Sequence, residues 1–125
     1  MKHCILVVED NLPSRELLSD WLALEGFDAV QAESYEEAFQ ALNHRQIDAV
    51  LLDVHLGPED GLSLAKWIRD ESSLHHIPVI AVTAHAMVTD QQRMIHAGCR
   101  ACISKPVDFR LLKQQLQKCL SQTRI

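Results

Sequence analysis

Short apolar runs alternate along the chain with longer segments in which apolar residues recur every three or four positions. Three of the runs have no polar face, namely Cys4–Val8, Ala49–Leu52 and Val79–Val82. A strand that is apolar on both faces must be covered on both faces, as happens inside a parallel sheet. Two weaker strands are predicted at Phe27–Gln31 and Ala101–Ser104, which makes five strands.

Three of the longer segments carry an apolar stripe with the spacing of an α-helix. The stripes consist of Leu17, Leu18, Trp21 and Leu22, then Tyr35, Ala38, Phe39 and Leu42, and finally Leu112, Leu116, Cys119 and Leu120. Strands that alternate with helices in this way predict five βα units. Because βα crossovers are right-handed, we expect an α/β fold in which five helices cover a doubly wound, five-stranded parallel sheet.

Several helix ends are marked by residues with typical capping chemistry. Ser34 followed by Glu37 fits a capping box, and Asp108 can cap the last helix. Gly26 and Gly98 suit helix exits, where the backbone commonly turns left-handed. These signals agree with the same five βα units.

Length and charge narrow the functional classes. We expect residues 1–125 to form a single domain, because a chain of this size fits one hydrophobic core. The net charge of −5 and the dispersal of the 12 basic residues argue against a nucleic-acid interface. The first apolar run is short and ends in two acids, so no secretory signal or membrane span is expected and a cytoplasmic location is predicted. The sequence does not determine the oligomeric state, and a monomer is one of the possibilities.

Four cysteines, Cys4, Cys99, Cys102 and Cys119, are predicted to be reduced thiols, because a domain with 47% hydrophobic residues does not need disulfides. Cys99 and Cys102 have the spacing of some zinc and redox sites. No second pair supplies further zinc ligands, and the segment leads into a strand instead of opening a helix. A structural role is the favoured interpretation, with zinc or redox chemistry as the alternative.

Polar side chains stand at the carboxyl ends of four predicted strands. Glu9 and Asp10 follow the first strand, Asp53 the third, Thr83 the fourth and Lys105 the fifth. Ligands of open parallel sheets bind at this edge, so the five side chains are expected to converge. Taken singly, each has an ordinary explanation: Asp10 could cap a helix, Thr83 favours strands and Lys105 could be a solvated charge.

A cluster of three carboxylates favours a divalent cation. Acids held together repel one another unless a hard cation with oxygen ligands, such as Mg²⁺, compensates their charge. Glu9, Asp10 and Asp53 would bind this metal, whose shell is commonly completed by phosphate oxygens. Asp53 would then be the nucleophile in phosphoryl transfer. Lys105 would neutralise charge on the phosphoryl oxygens, and Thr83 would donate a hydrogen bond to one of them.

These motifs together resemble the receiver domain of response regulators in two-component and phosphorelay signalling. The similar segments are "ILVVEDN" with Glu9 and Asp10, "AVLLDVHLGPEDG" with Asp53, "PVIAVTAHAM" with Thr83 and "GCRACISKP" with Lys105. The resemblance covers nearly the whole chain and implies a flavodoxin-like strand order of 2-1-3-4-5.

The resemblance also implies a function. A histidine kinase or histidine phosphotransfer protein would pass a phosphoryl group to Asp53, and the modified domain would switch its binding to a downstream protein of unknown identity. Apart from its own phosphorylation and slow dephosphorylation, the domain would not act as an enzyme. The backbone carbonyl of His55 would help to bind Mg²⁺, and the Lys105–Pro106 bond would be cis.

Three features depart from the family pattern. Cys102 stands where many members carry a Tyr or Phe that moves with the switch hydroxyl, so this aromatic switch is absent. Pro58 lies one place later than in the common Met-Pro pattern, with Gly57 in its stead, which predicts a slightly different loop. His55 and His85 flank the pocket; we favour solvent-facing loop residues, with an effect on phosphate lifetime as the alternative.

Two other functional classes share part of this pattern. A phosphatase of the haloacid-dehalogenase type also uses an Asp nucleophile with Mg²⁺, but it needs an acid two residues after the nucleophile, where this chain has His55. A non-phosphorylated pseudo-receiver would act only as an interaction module, yet such proteins generally lack the acceptor or the acidic pair. The sequence suits a stand-alone receiver, and a receiver excised from a longer protein would look the same.

Overall fold

The computed structural model describes residues 2–56, 59–84 and 87–122. In this part of the chain, five strands form the main sheet and five helices connect or follow them. In chain order the elements are β1 (Cys4–Val8), α1 (Leu12–Leu24), β2 (Asp28–Ala32), α2 (Tyr35–His44), β3 (Ala49–Asp53), α3 (Gly61–Asp70), β4 (Val79–Thr83), α4 (Val88–His96), β5 (Ala101–Ser104) and α5 (Phe109–Gln122).

The sheet is parallel throughout and has the strand order β2-β1-β3-β4-β5, as predicted. Every residue of β3 and β4 is buried, which confirms that the runs without a polar face lie inside the sheet. The second strand starts one residue later than predicted. Phe27 still belongs to the helix exit, because its N–H donates to the carbonyl of Leu22 (2.9 Å).

The strands send alternate side chains to two hydrophobic layers. Leu6 and Val8 of β1 pack in the layer covered by α2, α3 and α4. Ile5 and Val7 of the same strand pack on the opposite face, against α1 and α5. Burying a side chain of this size contributes about 1.5–3 kcal/mol, so the two layers fix the sheet register and hold its carboxyl edge in place.

Local chemistry sets the helix ends largely as predicted. Gly26 and Gly98 have φ values of 89° and 101°, and the Asp108 carboxylate accepts a hydrogen bond from the backbone N–H of Arg110 (3.0 Å). The capping box at the start of α2 is only half formed. Ser34 Oγ accepts from the N–H of Glu37 (3.2 Å), but the Glu37 carboxylate accepts from the N–H of Glu33 (3.0 Å) instead of that of Ser34.

Asn11, and not Asp10, caps α1. Its side-chain oxygen accepts a hydrogen bond from the N–H of Ser14 (3.0 Å), which satisfies one of the free donors of the first turn. The Asp10 carboxylate is thereby left for other interactions at the edge of the sheet.

A short antiparallel pairing that the sequence did not predict follows β3. His55–Leu56 pairs with Glu59–Asp60, and the chain then enters α3 at Gly61. Among the described residues no helix is both long and apolar enough to cross a lipid bilayer.

Candidate functional site

The predicted polar residues lie at the carboxyl edge of the sheet. Glu9 follows β1, Asp53 ends β3 and Thr83 ends β4. Their side chains are buried, with exposed fractions of 1% for Glu9, 7% for Asp53 and 0% for Thr83. Asp10 is exposed. Charged and hydroxyl groups are rarely buried without partners, so the buried polar side chains at this edge require specific polar contacts.

The three predicted acids form a cluster. Oxygen atoms of Glu9, Asp10 and Asp53 all lie within 4.8 Å of one another. Two members are buried and the third faces solvent, so a cation could reach them from one side. A set of carboxylate oxygens fits a hard divalent cation such as Mg²⁺, which takes one or two direct carboxylates and keeps several waters.

Lys105 brings a positive charge to the same cluster. Its Nζ donates to Oε1 of Glu9 at 2.6 Å and to Oδ2 of Asp53 at 3.3 Å. Burial lowers the pKa of Lys105, but the hydrogen bond to Glu9 and the charge of Asp53 outweigh it, so the pKa is raised overall. The ammonium therefore stays protonated beside the two carboxylates.

The pKa of Glu9 is also raised above its ordinary value of 4.5. Burial is the largest cause, and the hydrogen bond shared with Asp53 acts in the same direction, while the hydrogen bond from Lys105 opposes them. Asn11 helps to hold the Glu9 side chain, since its N–H donates to Oε2 (3.2 Å). One lysine does not fully compensate the acids, which is the electrostatic condition that favours an additional cation.

Thr83 and Lys105 are joined through the backbone. The N–H of Lys105 donates to the carbonyl of Thr83 at 2.7 Å, and Thr83 is the partner of Ser104 across the two strands. In the sheet register Asp53 is opposite Val82, so Thr83 lies one residue further along the neighbouring strand. The action of the Thr83 hydroxyl on a phosphoryl oxygen stays a prediction. The Lys105–Pro106 bond is cis, as expected.

Other predictions concern the rim of this site. The backbone of His55 pairs with that of Asp60, and its carbonyl as a metal ligand stays a prediction. Gly57, Pro58 and His85 lie outside the described residues, so the expectations for the loop after Asp53 and for the second flanking histidine stay open.

Arg15, at this edge, was missed by the sequence interpretation. Arg15 is 9% exposed and its Nη1 donates to the backbone carbonyl of Glu9 at 2.9 Å. Its spacing from Leu18 and Leu22 places it on the apolar stripe of α1, and a charge on that stripe was the available signal. A further backbone contact is formed by Gly61, whose N–H donates to the carbonyl of Val54, the residue directly after Asp53 (3.2 Å).

At the position predicted to lack an aromatic switch residue, Cys102 contacts a methionine. Cys102 is half-buried, and its thiol contacts the thioether of Met94 on α4. Cys4, Cys99, Cys102 and Cys119 are all free thiols, as predicted. Cys99 is buried, and Cys102 lies within β5, which agrees with a structural role for both.

Comparison with known proteins gives a consistent result. The family model described as "Response regulator receiver domain" matches residues 5–117. The polar-differentiation response regulator DivK of Brucella ovis is 38% identical over 107 residues, which are 86% of this chain and 87% of that protein.

Solved structures agree. A response regulator receiver protein from Pseudomonas putida is 32% identical and superposes with a TM-score of 0.87 over 94% of this chain and 98% of that chain. A response regulator from Thermotoga maritima, 26% identical, superposes with a TM-score of 0.86 over 97% of this chain and 99% of that chain. With the acidic cluster and the lysine at the sheet edge, these similarities establish that the chain belongs to the response regulator receiver domain family.

Proposed function

We propose that Asp53 is the phosphoacceptor of this receiver. Its phosphorylation requires a Mg²⁺ ion that is bound by Glu9, Asp10 and Asp53 itself. The observation that supports this most strongly is the cluster of three carboxylates within 4.8 Å of one another, with the Lys105 ammonium in contact with two of them. Such a cluster is costly to a fold unless a cation compensates its negative charge.

In the proposed reaction an oxygen of Asp53 attacks the phosphorus of a phosphohistidine. The new O–P bond forms as the N–P bond breaks, and the imidazole nitrogen leaves with the electron pair of that bond. Lys105 stabilises the charge on the transferred phosphoryl oxygens, and the Thr83 hydroxyl donates a hydrogen bond to one of them. When bound, Mg²⁺ would neutralise phosphoryl charge and orient the group towards Asp53, with the backbone carbonyl of His55 as a further ligand.

The partner classes follow from this chemistry. A histidine kinase or a histidine phosphotransfer protein would supply the phosphoryl group, and a downstream protein would bind the phosphorylated form. We also propose that residues 1–125 fold as one receiver domain in the cytoplasm and that catalysis is limited to the domain's own phosphorylation and dephosphorylation. No observation favours the phosphatase or the pseudo-receiver.

The proposal is tested by weighing the intact protein after incubation with acetyl phosphate. We expect a single phosphoryl adduct that requires Mg²⁺ and is absent in Asp53→Asn. Asp70→Asn is the matched control, because Asp70 is an exposed carboxylate paired with Arg69 away from the site. An adduct on Asp53→Asn would assign the acceptor elsewhere, and absence of any adduct with several phosphodonors would favour the pseudo-receiver.

A further inference from the structure

Arg15 is a buried charge that the proposed phosphoryl transfer does not use. Its guanidinium reaches from α1 to the ends of two strands: Nη1 donates to the Glu9 carbonyl (2.9 Å) and Nε donates to Oε1 of Gln31 (2.9 Å). The ion pair with Glu33 is longer, at 3.9 Å, and Glu33 is exposed. Hydrogen bonds from a charged donor are strong, whereas exposed ion pairs contribute little. The bond to Glu9 is therefore the main directional contact of Arg15 with the site.

Arg15 contacts both residues that flank Asp10, one through its side chain and the other through the regular backbone hydrogen bond of α1. The side chain of Arg15 binds the carbonyl of Glu9, and its backbone N–H donates to the carbonyl of Asn11 (2.9 Å). Asp10 is the exposed member of the acidic cluster and lies between these two carbonyls. Its carboxylate therefore projects from a loop in which the preceding peptide group, Glu9–Asp10, is held by the Arg15 side chain.

The backbone N–H of Glu9 is held as well. Its N–H donates to the carbonyl of Ala32 at the end of β2 (3.0 Å). Because Arg15 binds its carbonyl, the backbone N–H and the backbone carbonyl of Glu9 are both hydrogen-bonded to neighbouring elements. This fixes the backbone from which the carboxylate projects, and pre-oriented ligands bind metal more tightly than mobile ones.

We propose that Arg15 is a positioning residue that orients the backbone of Glu9 and Asp10 for binding Mg²⁺. This inference rests on the proposed metal site, and it adds a contribution to metal affinity from a residue that touches neither the metal nor the phosphoryl group. Residues that orient metal ligands in this way commonly change metal affinity by about 10- to 100-fold.

The test is Mg²⁺ affinity measured by isothermal titration calorimetry on the folded, unphosphorylated protein. Arg15→Met is expected to weaken Mg²⁺ binding about tenfold, because the Glu9 carbonyl loses its charged donor. Arg15→Lys keeps the charge but cannot span Glu9 and Gln31 with one ammonium, so a loss of about threefold is expected. At saturating Mg²⁺ both variants should still accept phosphate on Asp53.

Ser19→Ala provides the matched control for damage to α1. Ser19 Oγ donates to the carbonyl of Arg15 (2.8 Å) and is buried in the same helix, but it has no hydrogen bond to Glu9. We expect its Mg²⁺ affinity to stay within about twofold of wild type even where thermal stability falls. Unfolding midpoints without Mg²⁺, measured for all variants, separate the loss of stability from the loss of affinity.

Three results would overturn the role of Arg15. One is wild-type affinity in Arg15→Met, and another is a loss of affinity in Ser19→Ala equal to that in Arg15→Met at equal loss of stability. If Arg15→Met does not fold, wild-type affinity in Arg15→Lys is decisive in the same direction. Absence of Mg²⁺ binding by the wild type would instead refute the metal site itself, and the role of Arg15 with it.

Discussion

The Nζ of Lys105 lies 2.6 Å from Oε1 of Glu9, closer than its 3.3 Å contact with Oδ2 of Asp53. Without a metal, the lysine therefore binds most closely to one of the acids proposed to hold Mg²⁺. Two cations drawn to the same carboxylates repel each other, so Lys105 should weaken metal binding while it assists the phosphoryl transfer. These two effects of one side chain can be measured separately.

Lys105→Met is expected to bind Mg²⁺ more tightly than wild type, by about three- to tenfold, because a competing charge is removed. Its phosphorylation by acetyl phosphate at saturating Mg²⁺ should be slower by a factor on the order of 10², because the phosphoryl oxygens lose a cation. Lys113→Met changes the net charge equally and removes only the surface pair with Glu25, so both quantities should be near wild type. Weaker Mg²⁺ binding in Lys105→Met would contradict the competition between the two cations.

The raised pKa of Glu9 predicts how stability depends on pH. The folded metal-free protein holds the Glu9 proton more tightly than the unfolded chain does, so this contribution is present below the ordinary pKa of 4.5 and is lost as pH rises through the raised value. Mg²⁺ binds the ionised carboxylate, so the gain in unfolding temperature on adding Mg²⁺ should increase as the pH rises above the ordinary pKa of Glu9.

Glu9→Gln is the control for this pH dependence, because glutamine cannot titrate. In thermal unfolding without metal, Glu9→Gln should not show the decline in stability that the wild type shows above the ordinary pKa of Glu9. A wild-type decline that persists unchanged in Glu9→Gln would assign it to other groups.

Gly61 is expected to be required for the geometry after the acceptor. A Cβ at this position would lie 2.6 Å from the carbonyl carbon of Val54, which directly follows Asp53. Gly61→Ala should therefore displace this backbone, slow phosphorylation and lower the free energy of unfolding by about 1–3 kcal/mol.

Gly26→Ala is the matched comparison for Gly61. A Cβ at Gly26 meets no atom within 4 Å, but its φ of 89° is unfavourable for alanine. The expected cost is about 1–2 kcal/mol of stability, with phosphorylation of Asp53 unaffected. Equal rates of phosphorylation in the two variants would show that Gly61 matters for stability alone.

The cysteines should react slowly in the native protein. Burial, with a smaller contribution from Cys102, raises the pKa of Cys99 to about 12, so almost no thiolate is present at neutral pH. A disulfide reagent should titrate all four thiols of the denatured chain, and Cys99 should be protected in the folded chain. Rapid labelling of Cys99 under native conditions would contradict its burial.

Strand positions and the acidic cluster were predictable because they depend on local apolar runs and on the edge where parallel strands end. Both ends of β1 and β5 agree with the prediction, and Glu9, Asp10 and Asp53 converge as expected. Lys105 and Glu9 are 96 positions apart, and the parallel sheet predicts that they lie at the same edge, although their direct hydrogen bond was not predicted.

Contacts that depend on side-chain direction across elements were not predictable. Nothing local indicates that Arg15 binds the carbonyl of Glu9, or that Glu37 turns to Glu33 instead of Ser34. The contact between Cys102 and Met94 likewise follows from how α4 packs on β5, which a periodic pattern does not specify.

The most direct test of Asp53 as acceptor is to trap the acyl phosphate chemically. After incubation with acetyl phosphate and Mg²⁺, borohydride reduces an aspartyl phosphate to homoserine, which peptide mass spectrometry locates in the sequence. We predict homoserine at position 53 alone, and none when Mg²⁺ is withheld. Homoserine at another aspartate, with residue 53 unmodified, would contradict the assignment.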